Sequence, residues 1–453
     1  MKNIITYLFL PLLILVVLGC KREDDFGSSS DLQPVPYMVK VRYDAAKFGQ
    51  LGGKGAANST VTLENISTGD KVIGKTDING ELHFNAILPG TYNITAESAM
   101  SKQEYETIFG MSTSNTEVHF GGMKEKAIVN VNVSAAEIIL SSGRVGDLVI
   151  KQVYYAGSST TEGASFRDHF LEIYNNSDET IYADGLYIGL LEGNTNSNVT
   201  SYTLANGQYD WSKSTGNSIG ASANTDYVYA NVVIRVPGNG NQHPILPGES
   251  IVIAQTAINH KAPYDTPNGQ SVGIKKPELT VDLSGADFET YLGDYLTANG
   301  GSPYMYDIQN IMVPDMQIVH WASSSKDMLL SVTSRPAFII FKASPDEVAS
   351  FAKVPSPKSV TGPLFARIPK EIIIDGVDTT DKELKAPKDL PMDIDATRAF
   401  IKDLSGAPYP DYSSYSIIRK IKQVVNGRTI LMDTNNSQND FTTIKVSPRG
   451  NAQ

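Results

Sequence analysis

Thr60-Val61-Thr62-Leu63-Glu64-Asn65, Lys71-Val72-Ile73-Gly74-Lys75-Thr76, Asp77-Ile78-Asn79-Gly80 and Glu81-Leu82-His83-Phe84 form the stretch whose reading decides the class of fold. Its apolar residues alternate with polar ones at a period of two, which is the spacing of a strand with one face buried. Asn79-Gly80 stands between two such patterns and predicts a hairpin, because glycine accepts the positive φ that a tight turn demands. The same alternation extends outward on both sides. Met38-Val39-Lys40-Val41-Arg42-Tyr43 precedes it, Leu88-Pro89-Gly90-Thr91-Tyr92-Asn93-Ile94-Thr95-Ala96 follows it, and Ala127 to Val133 reads as a late strand. An all-β fold is expected.

The order of a variable strand, T-D-x-N-G, a short strand and L-P-G-T-Y-x-I resembles the carboxypeptidase-regulatory or transthyretin-like β-sandwich, here over residues 37–136. That resemblance implies a spacer or docking module without catalysis. A second one runs through residues 146–450. Gly146 to Tyr155, Phe170-Leu171-Glu172-Ile173-Tyr174-Asn175, Ala183 to Ile188, Ile245 to Ala254, Ser416 to Lys420 and Asp433 to Phe441 resemble the strands of the lamin-tail domain, an immunoglobulin-like sandwich. Long insertions separate these pieces. The expected architecture is therefore two immunoglobulin-like β-sandwich domains in tandem, the second elaborated by long insertions with a few short helices. Ser284 to Asn299 is predicted as a helix with Ser284 at its N-cap. Ser344-Pro345-Asp346-Glu347 predicts another over Pro345–Lys353, with serine capping and proline in the first turn. Ala337 to Phe341 reads as a buried strand, and Glu371 to Ile374 as a further strand.

The N-terminus carries Lys2, then an apolar run from Ile4 to Leu18 broken by Pro11, then Val17-Leu18-Gly19-Cys20. The run is shorter than the ~20 residues a spanning helix needs. It resembles the lipobox of bacterial lipoproteins, in which residues 1–19 are removed as a signal peptide and the Cys20 thiol carries lipid. An ordinary signal peptide with a chance cysteine is the plainer alternative, but Cys20 is the single cysteine of the chain. Glu23, Asp24 and Asp25 resemble the surface-export signal of Bacteroidota lipoproteins, and residues 20–36 read as a flexible tether. Location at the outer membrane, facing the cell exterior and held by the lipid anchor, is what these resemblances imply. A formal charge of −11 gives no electrostatic footprint for nucleic acid.

Chemistry-bearing motifs are sparse. The six histidines (His83, His119, His169, His243, His260 and His320) show no i, i+4 pair, so no spacing announces a metal site, and no cofactor is expected. Asp433 to Asp440 places oxygen side chains at alternate positions, with Asp433, Asn435 and Ser437 as calcium-ligand candidates. Gln438 and Ile444 stand where a calcium loop has glycine and glutamate, and turn formation explains the run more simply. No Gly-x-Ser-x-Gly occurs, and Asp168, His169 and Glu172 would not converge on one strand face. The chain is expected not to be an enzyme. With 22 Tyr, 15 Phe and 2 Trp, aromatic contact is the better-supplied chemistry, although each ring serves a sandwich core equally well. Tyr209 and Trp211, in the Asn-, Ser- and Thr-rich insertion 193–224, and Trp321 are the ligand-contact candidates. Asp378-Thr379-Thr380 resembles the O-glycosylation motif of exported Bacteroidota proteins, with Thr379 as acceptor.

Taken together, the segments resemble a family of uncharacterised Bacteroidota surface lipoproteins. The resemblance implies a ligand-binding or accessory component serving a TonB-dependent transporter, with a small molecule or glycan as ligand. A structural or adhesive surface protein is the alternative, and a hydrolase comes third.

Overall fold

The computed structural model describes residues 33–43, 53–109, 117–142, 148–177, 180–194, 198–330, 336–380, 389–403, 411–425 and 427–452. Cys20, Glu23, Asp24 and Asp25 lie outside them. Among the described residues, no helix is long and apolar enough to cross a membrane.

The N-terminal unit is a seven-stranded sheet in the order Lys71–Lys75, Thr60–Asn65, Gly90–Ser101, Glu117–Val129, Ala135–Ser142, Val35–Tyr43, Glu81–Ile87. Among its described strands, only the pair Val35–Tyr43 and Ala135–Ser142 runs parallel. Val39 and Val41 from one end of this order share a core with Val61, Leu63 and Ile94 from the other, all fully buried, so the sheet is folded over itself as a sandwich. Alternation does this. Val35–Tyr43 buries its odd-numbered residues and turns the even ones outward.

The hairpin expected at Asn79-Gly80 is not formed. Lys71–Lys75 pairs with Thr60–Asn65, whereas Glu81–Ile87 pairs with Val35–Tyr43, at the opposite end of the sheet. The turn is an arch between the two layers. The Asp77 carboxylate closes it by accepting from the backbone N–H of Asn79 (2.8 Å) and Glu81 (2.9 Å). Gly80 has φ +75°, and a Cβ there would lie 2.4 Å from the Val41 carbonyl oxygen. Asx-turn chemistry suits an arch as well as a hairpin, so the turn residues alone do not assign the pairing.

The C-terminal unit has two larger sheets. One orders Lys353–Pro355, Leu364–Pro369, Tyr227–Arg235, Leu186–Leu191, Phe338–Lys342 and Ile373–Val377, with Gln317–Trp321 also on Tyr227–Arg235. The other orders Phe288–Glu289, Ser250–Ala254, Phe170–Asn175, Leu148–Tyr154, Tyr415–Arg419 and Phe441–Lys445. Ile150, Ile173, Ile253 and Ile417 from the second sheet meet Ile188, Ile234, Phe338 and Ile340 from the first in one apolar core. The class is all-β, as expected. Leu148–Tyr154, Phe170–Asn175 and Leu186–Leu191 are buried along their whole length. Both faces are thus covered, and the insertions supply the second cover.

Arg419 fastens the two sheets together. Its side chain is 2% exposed and meets Asp375 at 2.8 Å, Asp433 at 3.1 Å and Asp440 at 3.3 Å. Asp375 belongs to the first sheet and Arg419 to the second. Nearby, Asn439 Nδ2 donates to Glu97 Oε1 at 3.1 Å, a contact between the two units.

Two helix expectations resolve differently. Ser344 caps Pro345–Ala349 by accepting from the Glu347 N–H at 3.2 Å, but the helix stops short because Lys353 already opens a strand. The segment 284–299 splits. Phe288–Glu289 pairs in parallel with Ile253–Ala254, and only Gly293–Ala298 is helical. Ser284 caps nothing, since its hydroxyl donates to Asp282.

Candidate functional site

The insertion after Leu186–Leu191 returns to the sheet through Trp211. The indole stacks on Tyr229 with centroids 3.8 Å apart and planes 8° from parallel, and it meets Tyr209 and Phe365 edge-on at 5.9 Å each. Asparagine side chains replace the ladder that an irregular segment lacks. Asn224 Oδ1 accepts from the Trp211 N–H, and its Nδ2 donates to the Tyr209 carbonyl. Asn217 Nδ2 donates to the Trp211 carbonyl and to the Tyr229 hydroxyl, which in turn donates to Ala223. Trp211 and Tyr209 are 6% and 5% exposed. Burial and stacking make both rings anchors of a satellite core, and both also line a cleft beside it. Trp321 lies elsewhere, packed against the main core with its Nε1 donating to the Ser325 carbonyl at 3.1 Å.

Beside this core lies a small cleft of about 20 Å³, with Glu192, Gln208, Tyr209, Trp211, Asn224, Tyr227 and Asp389 among its walls. Glu192 follows directly on Leu186–Leu191, and its N–H donates to the Tyr229 carbonyl at 2.8 Å. Burial raises its carboxyl pKa, and the charge of Lys358 partly opposes the shift. Lys358 stands near the cleft, exposed on the loop after Lys353–Pro355. Its ammonium stands 5.5 Å from the centroid of the Tyr209 ring. Its pKa is raised first by a hydrogen bond to the Tyr209 hydroxyl and then by the charges of Tyr209 and Glu192, against partial desolvation. Arg367 is committed elsewhere, donating to Asn217 at 2.7 Å and lying 4.9 Å from the centroid of the Tyr227 ring.

A second polar centre closes one end of the sandwich, where Phe170–Asn175 begins and Ser250–Ala254 and Phe288–Glu289 end. Asp168, His169, His260 and Asp327 are buried there, with Asp307 beside them. Both ring nitrogens of His169, Asp168 Oδ1, His260 Nδ1, Thr256 Oγ1 and Asp307 Oδ1 meet no hydrogen-bond partner among the described residues. Burial raises Asp168, Asp327 and Glu289 to about 7 and Asp307 to about 8. It also pushes His169 down to about 3 and His260 to about 4. At the rim, Arg167 lies 4.0 Å from the centroid of the Tyr306 ring. Glu172 turns away to an ion pair with Lys151 at 2.9 Å.

The calcium-ligand candidates do not converge. The Asp433 carboxylate faces the Arg419 guanidinium, Asn435 Nδ2 donates to the Asp393 carbonyl, and the Ser437 hydroxyl donates to Asp395. Arg419 already supplies the positive charge among these carboxylates. Among the described residues, no group of three or more His, Cys, Asp or Glu is placed to hold a metal ion. Thr379 is 2% exposed and its hydroxyl donates to the Pro336 carbonyl at 2.8 Å, so the folded chain does not present it for glycosylation.

Sequence reading missed the approach of Lys358 to Glu192, and of the centre beside Arg167 it named Asp168 and His169 only as groups that would not converge with Glu172 on one strand face. The one local signal was the run Arg167-Asp168-His169 at the mouth of an otherwise apolar strand.

Comparison with known proteins follows the same lines. Residues 246–448 match the family model described as a protein of unknown function, DUF4876. The chain is similar to the crystal structure of a DUF4876 family protein from Bacteroides thetaiotaomicron VPI-5482, with TM-score 0.50 and 25% identity, covering 90% of this chain and 95% of that one. Far weaker likenesses connect it to fervidolysin from Fervidobacterium pennivorans, a keratinolytic enzyme related to subtilisin (TM-score 0.18, 12% identity, covering 35% and 20%). A candidate adhesin from Bacteroides ovatus ATCC 8483 is equally remote (TM-score 0.17, 12% identity, covering 76% and 85%). No curated protein matches the sequence.

Proposed function

We propose that this protein is a lipid-anchored, non-enzymatic surface component that binds a ligand or partner through its C-terminal sandwich, in the service of a TonB-dependent uptake system. The observation that carries the binding reading is the cleft beside Trp211. A rigid aromatic floor holds Glu192, whose carboxylate meets no hydrogen-bond donor among the described residues, at the edge of open space. Binding groups on loops held by a stiff scaffold are the usual arrangement for recognition. Lipid attachment at Cys20, and surface export through Glu23, Asp24 and Asp25, rest on the sequence motif.

Deleting the protein from cells and comparing nutrient uptake with adhesion tests this reading. Reduced uptake with unchanged adhesion is expected. Unchanged uptake with reduced adhesion would replace it with a structural, adhesive role. Mass spectrometry of the mature N-terminus checks the anchor, and an unmodified residue 20 contradicts it.

A further inference from the structure

We propose that the cleft beside Trp211 is a receptor for a primary ammonium group, such as a lysine side chain of a partner, and that Lys358 of this chain's own loop occupies it at rest. The proposal rests on the ligand-binding reading above and names the chemistry of that site.

Three features select this ligand class. Trp211 is 6% exposed, with Tyr229 stacked on one face and Tyr209 and Phe365 at its edges, so little indole surface is left to stack a sugar ring. What the cleft offers instead is the side chains of Glu192 and Asp389 and the phenol ring of Tyr209, the Tyr227 ring being already met by Arg367. A carboxylate beside aromatic faces attracts a cation both by charge and by the ring quadrupole. Finally, the Lys358 ammonium already stands 5.5 Å from the centroid of the Tyr209 ring. Its charge and that of Glu192 act on each other, and among the described residues no ion pair joins the two.

The loop that carries Lys358 is built to move away. Its base is fixed where Ser214 Oγ donates to the Pro355 carbonyl at 2.6 Å and where Lys353–Pro355 pairs with Leu364–Pro369. Between these points, Lys358, Val360 and Thr361 are exposed. An incoming ammonium therefore displaces one flexible side chain, and no packed element has to shift.

The test is a titration of the purified protein with n-butylammonium and with N-acetyl-lysine methylamide at low salt, read by Trp211 fluorescence in a Trp321→Phe background. Lys358→Ala should bind both probes at least tenfold more tightly than the unsubstituted chain, because the resident competitor is gone. Adding Glu192→Gln should abolish that gain. Equal affinity with and without Lys358, or unchanged affinity after Glu192→Gln, overturns the proposal. Amine-acylation footprinting provides a second measurement that needs no Lys358 variant. Lys358 should react more slowly than the exposed Lys422 and recover the faster rate in Glu192→Gln; equal rates throughout would also overturn it. If these arms fail while deletion still reduces uptake, the ligand class is wrong and the binding reading stands. If deletion leaves uptake unchanged, the binding reading itself falls.

Discussion

Replacing Arg419 with methionine keeps most of the side-chain volume and removes the charge from the centre of the C-terminal sandwich. The guanidinium sits among three carboxylates and also donates to the carbonyls of Ile150 (3.0 Å) and Met432 (2.9 Å). Asp375, Asp433 and Asp440 are each less than a tenth exposed, so none can turn to water. Breaking a buried ion pair from one side costs about 3–5 kcal/mol, since the surviving charges stay desolvated. For a unit of this size, that corresponds to a fall in thermal midpoint of roughly 6–20 °C. Burial already raises Asp375 and Asp440 to about 7, although Arg419 opposes the shift. Without the guanidinium they rise further, so acid repairs part of the damage by neutralising them. Circular dichroism melts at pH 5 and pH 8 should therefore show the larger loss at pH 8. A loss below about 1 kcal/mol, or one equal at both pH values, would refute the view of Arg419 as the tie between the sheets.

Trp211→Ala should cost about 3–5 kcal/mol and open the insertion to limited proteolysis, because it empties the satellite core; an unchanged digestion pattern would restore the ring to the role of a free contact. The centre at Asp168 should make stability depend on pH. Carboxyl groups raised to about 7 or 8 stabilise most below their unfolded values near 4 and lose that contribution as pH rises through the folded ones. Histidines lowered to about 3 and 4 contribute above about 6.5 and lose it as pH falls. Four carboxyl groups outweigh two imidazoles, so the centre's contribution falls from about pH 4 to pH 8, most steeply above about 6.5 where the histidines no longer offset it. Asp307→Asn should flatten that fall, and melting profiles parallel to those of the unsubstituted chain would contradict it. Intact-mass analysis of folded protein exposed to the glycosylation machinery should show Thr379 unmodified, since its hydroxyl is buried.

Period-two alternation made the strands of the N-terminal sandwich legible, because a half-buried strand writes its face into the sequence. The strands Leu148–Tyr154, Phe170–Asn175 and Leu186–Leu191, buried on both faces, carry no such alternation and are legible through a family resemblance. Partner choice was less legible. Asp77-Ile78-Asn79-Gly80 satisfies its own backbone groups, and that local chemistry is indifferent to whether the flanking strands pair with each other. The insertion around Trp211 reads as polar loop because its core is small and its hydrogen bonds come from Asn217 and Asn224, residue types that also signal turns. Arg419 was legible only as the end of the strand pattern Ser416–Lys420. Its partners lie on separate segments, and nothing at close range marks them as one cluster. Glu192 and Lys358 come from distant loops, so their meeting depends on a sheet order that long insertions hide.

Detergent co-purification from outer membranes is the decisive measurement. On the proposed function the chain should bring down a TonB-dependent transporter in near-equal amount, and Glu192→Gln with Tyr227→Ala at the cleft should release it while leaving the melting temperature within a few degrees. A chain that isolates alone, or one that keeps the transporter despite both substitutions, would contradict a binding role for this cleft.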